Sequence, residues 1–185
     1  LLSLDVINWQ RSLFYQLLNW VMVLNNSLHF SKITLPENLE IIGKNVFDGC
    51  SSLEQISIPS KVKVIGRSSF EVFTSLKEIK FPRLVNIFNY RTFKECTSLE
   101  KVTFLCSTIE LIGDYAFYGC SSINELSFYS PNKTYNSSCS IGYRAFEGCS
   151  SLSKVTFGPK IDRIENYAFK RCSSFTKFET HFEDC

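Results

Sequence analysis

A fixed spacing governs this chain. The stretch Ile41–Pro59 reads Ile-Ile-Gly-Lys-Asn-Val-Phe-Asp-Gly-Cys-Ser-Ser-Leu-Glu-Gln-Ile-Ser-Ile-Pro, and most of the 185 residues restate it. Cys50, Phe73, Cys96, Cys120, Cys149 and Cys172 occupy one slot, at intervals of 23, 23, 24, 29 and 23 residues, with Ser27 one step earlier. Units of this size cannot bury an apolar face alone, so they must stack on one another as a solenoid.

One half of each unit is a short apolar alternation. It runs Phe30-x-x-Ile33-x-Leu35, Leu53-x-x-Ile56-x-Ile58, Leu76-x-x-Ile79-x-Phe81 and Leu99-x-x-Val102-x-Phe104. It continues as Ile123-x-x-Leu126-x-Phe128, Leu152-x-x-Val155-x-Phe157 and Phe175-x-x-Phe178-x-Thr180. The period of two predicts a strand with one buried face, and seven strands about 4.8 Å apart predict a parallel ladder roughly 34 Å long.

The other half carries a Phe column, Phe47, Phe70, Phe93, Phe117, Phe146 and Phe169, each after Val46, Ser69, Thr92, Ala116, Ala145 or Ala168. One helical turn, α or 3₁₀, would point both residues inward. Gly43, Gly66, Gly113 and Gly142 open this segment and read as positions of positive φ. Asn89 and Glu165 take the other two such slots. Hydroxyl pairs such as Thr74-Ser75 and Ser121-Ser122 precede the strands and read as partners for turn backbone groups.

The expected architecture is an α/β solenoid over residues 27–180, with one parallel strand per ~23-residue repeat and short helical turns on the convex side. Residues 1–26 fall outside the repeat. Trp9, Leu13, Leu17, Trp20 or Val21, and Leu24 recur at helical spacing and predict an N-terminal cap. Residues 181–185 begin a further repeat or a tail. With no initiator Met and a strand ending so near Cys185, further repeats or a docking partner are expected at the C-terminal end.

The landmarks Ile-Gly, Ala-Phe-x-Gly-Cys-Ser-Ser-Leu and Ile-x-Ile-Pro resemble those of the BspA-like leucine-rich repeats of bacterial and protozoan proteins. The resemblance covers residues 27–180. It implies a curved stack with strands on the concave side, and a secreted or surface protein that binds host matrix or other cells. Glu165, Phe73, Val72, Glu95 and Arg171 depart from the pattern at single turns.

The formal charge of +2, from 20 basic and 18 acidic residues, is unlike that of a nucleic-acid binder. No run reaches 18 apolar residues, so no transmembrane helix is expected. Five of the eight cysteines share the slot that also takes Phe73 and therefore read as buried thiols. There is no Cys-x-x-Cys, and His29 and His181 lie at opposite ends, which leaves no zinc pattern and no expected cofactor. Cys106 and Cys139 fall outside the core slots, in the connections after consecutive strands, as either a disulfide or two unpaired loop thiols. Asn25, Asn132 and Asn136 head Asn-x-Ser/Thr sequons, the last two in the insertion Tyr129–Ser140. No base stands beside a nucleophile, and no Gly-rich phosphate loop or acid pair is present, so no catalytic residue is expected.

The outward strand face is the candidate binding surface. One column runs Thr34, Ser57, Lys80, Thr103, Ser127, Thr156 and Glu179. The column beside it holds Lys32, Gln55, Glu78, Lys101, Glu125, Lys154 and Lys177. These columns form either a charge-balanced groove for a protein or glycan, or pairs that stabilise neighbouring strands. Two classes of function follow: an extracellular or cell-surface adhesin module, and a cytoplasmic or cytoskeleton-associated scaffold component.

Overall fold

A computed structural model describes residues 31–106, 109–128, 138–157 and 160–180. The N-terminal cap, the three sequon asparagines and the residues after Thr180 lie outside these ranges. Two families of strands alternate along the chain. One comprises β1 (Lys32–Thr34), β3 (Gln55–Ser57), β5 (Glu78–Phe81), β7 (Lys101–Phe104), β9 (Glu125–Ser127), β11 (Lys154–Phe157) and β13 (Lys177–Thr180). These are the seven strands that the alternation predicts. The other comprises β2 (Ile41–Ile42), β4 (Val64–Ile65), β6 (Ile87–Phe88), β8 (Leu111–Ile112), β10 (Cys139–Ile141) and β12 (Ile161–Ile164).

All pairings are parallel, each strand beside its counterpart one repeat away. The first family is divided into three hydrogen-bonded blocks, β1-β3, β5-β7 and β9-β11-β13, rather than one continuous ladder. β3 still lies beside β5, and β7 beside β9. The second family forms β2-β4 and β12-β10-β8-β6.

The turns after the second-family strands differ from expectation: among the described residues none is helical. In the turn 91–95, the N–H groups of Arg91, Phe93 and Glu95 donate to the carbonyls of Asp114, Ala116 and Tyr118 in the next repeat, at 3.0, 2.7 and 2.7 Å. The intervening Thr92 and Lys94 donate within their own turn. A helix would aim every N–H along its own axis. Here alternate donors leave sideways, which requires left-handed residues at two positions of each turn: Asn45 and Gly49, Ser68 and Val72, Arg91 and Glu95, Tyr115 and Gly119, Arg144 and Gly148, Tyr167 and Arg171. Such residues interrupt a right-handed helix. Val72, Glu95 and Arg171, with φ of 61°, 61° and 60°, keep the conformation of the glycines they replace.

The glycines that open the turns are not at positive φ. Gly66, Gly113 and Gly142 are needed for close approach instead. A Cβ on Gly66 would stand 2.5 Å from the Gly43 carbonyl carbon, and one on Gly142 would stand 2.5 Å from the Asp114 nitrogen. Asn89, in the same slot, turns its side chain so that Nδ2 donates to the Ile65 carbonyl at 2.7 Å.

The core follows from this stacking. Rings of Phe47, Phe70, Phe93, Phe117, Phe146 and Phe169 form one near-parallel column, with successive centroids 5.6, 5.3, 5.2, 5.4 and 5.1 Å apart. Beside it, the thiols of Cys96, Cys120, Cys149 and Cys172 each donate to a Phe carbonyl of the preceding repeat, at 3.0 to 3.1 Å. Phe178 packs on Phe157 at 5.3 Å but stays 41 % exposed.

Phe117 is fully buried between Phe93 and Phe146. Its rigid neighbours would hold a cavity open, so Phe117→Ala should cost about 3–5 kcal/mol in urea unfolding. A loss below about 1 kcal/mol would contradict the column.

Candidate interaction surface

The parallel registers set the outward side chains in rows. Gln55 lies beside Lys32 and Ser57 beside Thr34; Lys101 lies beside Glu78 and Thr103 beside Lys80. Lys154 lies between Glu125 and Lys177, and Thr156 between Ser127 and Glu179. Thr34, Gln55, Ser57, Glu78, Lys80, Lys101, Glu125 and Ser127 are exposed, whereas Thr103 and Lys154 are half-buried.

Thr156 departs from its place in the candidate surface, being only 7 % exposed. Glu179 is held over it by Lys154 Nζ at 2.7 Å and Lys177 Nζ at 2.5 Å, and the Thr156 hydroxyl donates to the same carboxylate at 3.4 Å. This end of the strand face is closed by its own charges. Lys154 reaches Glu179 on the diagonal of the neighbouring strand rather than Glu125 directly opposite. Among the described residues Glu78 and Lys101, though in register, form no ion pair.

Cys106 and Cys139 are buried thiols not joined to each other. Cys139 is not in a loop: it opens β10, where pairing with β8 and β12 holds the chain against the core. Burial pushes Cys139 up to about 12 and Cys172 up to about 11, and lifts Cys120 and Cys149 well above the ordinary thiol value. Such thiols are poor nucleophiles. No cluster of His, Cys, Asp and Glu suited to a metal ion occurs among the described residues. Nor is any helix there long and apolar enough to cross a membrane.

The profile of the BspA type leucine-rich repeat region matches residues 22–139 and 134–183, in six copies. The chain belongs to this family. No curated protein sequence matches it significantly. Among solved structures, a leucine-rich repeat protein from Bacteroides ovatus is similar, with a TM-score of 0.65 and 31 % identity over 79 % of this chain. The chain covers 36 % of that protein's length. The leucine-rich repeat protein TpLRR of T. pallidum shares the fold, with a TM-score of 0.68 and 24 % identity, covering 82 % of this chain and 70 % of that one.

In this BspA type solenoid, sequence reasoning passes over a second set of surface residues. Tyr90, Tyr115, Tyr143 and Tyr167 follow one another on successive turns, edge to face, with centroids 5.9, 5.6 and 5.9 Å apart. Arg67 and Arg91 lie over the Tyr90 ring, and Arg144 over Tyr143 and Tyr167. The available signal is their recurrence one and two residues after the glycine slot, as in Tyr90-Arg91 and Tyr143-Arg144.

Two outcomes test this chemistry. Hydrogen bonds from Lys154 and Lys177 pull the Glu179 carboxyl down to about 2 from an ordinary 4.5. A depressed acid contributes stability above its unfolded pKa, and the contribution fades as pH falls through the folded value. The Glu179 carboxyl resonance should therefore titrate near 2, and a midpoint in the ordinary range would contradict the closed strand end. Iodoacetamide should modify Cys96, Cys120 and Cys149 only after denaturation; fast labelling of the native protein would contradict their burial.

Proposed function

We propose that the chain is a non-enzymatic interaction module that takes a protein partner on its concave strand face, within an adhesin-type protein at the cell surface. The observation that carries this reading is the state of Glu78, Lys80 and Lys101. They are exposed, set in rows by β5 and β7, and without ion-pair partners among the described residues. Repeat stacks present extended surfaces of this kind to partners. The described concave columns carry no aromatic ring on which a sugar could stack, which favours a protein over a glycan. Their charges suit steering and specificity.

The surface assignment draws on the family and on the sequons at Asn25, Asn132 and Asn136. A second reading, an intracellular scaffold component, is favoured by the seven described cysteines, which are all thiols.

Biolayer interferometry against immobilised matrix proteins tests the binding reading. Saturable binding should weaken about tenfold or more on Lys80→Glu with Lys101→Glu, as for charged contacts central to an interface. Binding indifferent to both substitutions, or none across the panel, would remove the concave face from the account. Mass spectrometry of native material separates the compartments: glycans on Asn132 or Asn136 support the surface, and bare asparagines support the scaffold.

A further inference from the structure

The column of turns is a different kind of surface from the strand face. All five described tyrosines lie on it, Tyr90, Tyr115, Tyr118, Tyr143 and Tyr167. So do four of the six described arginines, Arg67, Arg91, Arg144 and Arg171. The concave columns hold neither type. Protein interfaces concentrate Tyr and Arg at their energetic centres and are depleted in the Lys, Glu and Ser that fill the concave face. By composition, the turn column has the stronger signature of an interface.

Its charges are unevenly committed. Arg144 Nε lies 3.3 Å from the buried Glu147 carboxylate and is neutralised there. Lys94 is held by Glu71 at 3.1 Å and Glu95 at 3.2 Å. Asp114 Oδ1 accepts the Tyr143 N–H at 2.9 Å. Arg67 and Arg91, on adjacent turns, have no ion-pair partner among the described residues. Rings hold them instead: Arg67 lies 5.2 Å from the Tyr90 centroid, and Arg91 lies 4.7 Å from Tyr90 and 5.7 Å from Tyr115. Arg91 Nε is buried without an acceptor. Aromatic faces fix a guanidinium in place but leave its charge and its hydrogen-bonding fork for another group.

We propose that the corner formed by Arg67, Tyr90, Arg91 and Tyr115 docks an acidic segment of a protein partner. Carboxylates of that segment sit on the two guanidinium groups, and its apolar atoms sit on the tyrosine rims. Carboxylate is the anion that matches the guanidinium fork bidentately. The uncommitted cations of this row span three turns, Lys44, Arg67 and Arg91, and Asp114 follows on the next turn, exposed. A uniformly charged polymer would need a longer basic track and would meet Asp114; a protein segment can place two carboxylates and then change composition.

Fluorescein-labelled octapeptide Gly-Ser-Glu-Glu-Leu-Glu-Ser-Gly and its counterpart with Gln for every Glu serve as probes for the 185-residue protein. The Glu peptide should bind saturably and shift the Nε–Hε resonances of Arg67 and Arg91 in the wild-type protein. Arg67→Gln and Arg91→Gln should each weaken it about tenfold, the scale of one lost charge-assisted pair. Lys80→Gln with Lys101→Gln should leave it unchanged, so that failure here and failure of the concave face are distinguishable. If Arg91→Gln does not fold, the exposed Arg67→Gln and the wild-type resonances decide. The proposal is overturned if the Glu and Gln peptides behave alike, if neither binds, or if the shifts fall on the strand face. Tighter binding of a heparin tetrasaccharide than of the Glu peptide at these arginines would also overturn it, in favour of a polyanion.

Discussion

The direction of alternate N–H groups in the turns is the constraint on which the rest depends. Each described turn before 167–171 sends the donors of its first, third and fifth residues to carbonyls of the next repeat, as Asn45, Phe47 and Gly49 do to Arg67, Ser69 and Glu71. These bonds satisfy backbone groups that no helix or strand of the same repeat could reach. They also set the rise from one repeat to the next at a hydrogen-bond distance. That rise brings the Phe rings to 5.1–5.6 Å and leaves no room for a Cβ at Gly66 or Gly142. Val72, at φ 61°, is a β-branched residue in a region such residues avoid. It is held there because the turns on both sides over-determine its conformation.

With the backbone satisfied between repeats, the outward side chains are free to specialise. The strand face carries Lys, Glu, Gln, Ser and Thr, and its C-terminal end is closed by the Lys154–Glu179–Lys177 cluster. The turn column carries tyrosines and arginines locked together by ring and cation contacts. A rigid stack therefore presents two chemistries on two sides, as suits an interaction module of the BspA type repeat family.

Burial is what the sequence expresses most clearly. The Phe column, the thiol slot and the strand positions all follow from apolar recurrence at the repeat period, and all but the exposed Phe178 lie in or against the core here. The turn conformation is not expressed in the same way. A small residue followed by Phe points inward from a helical turn and from this laterally bonded turn alike, and the next repeat, not the local sequence, selects between them. Gly66 and Gly142 illustrate the same limit, since a glycine required by close approach looks like one required by positive φ. Thr156 has the alternation of an outward residue, but its exposure is decided by where two lysines draw Glu179. Cys139 follows the long insertion, which obscures the start of β10 and makes a core position read as a loop.

Amide hydrogen exchange reads the lateral bonding of the turns directly. In the turns 91–95 and 115–119, the N–H groups of Arg91, Phe93, Glu95, Tyr115, Phe117 and Gly119 bond the following repeat at 2.7 to 3.0 Å. They should exchange only through global unfolding, whereas Thr92 and Lys94, with bonds of 3.3 Å inside their own turn, should exchange through local opening. Slow and fast amides should therefore alternate along each of these turns. Uniform protection, as in a helix, or rapid exchange at Phe93 and Phe117 would contradict it.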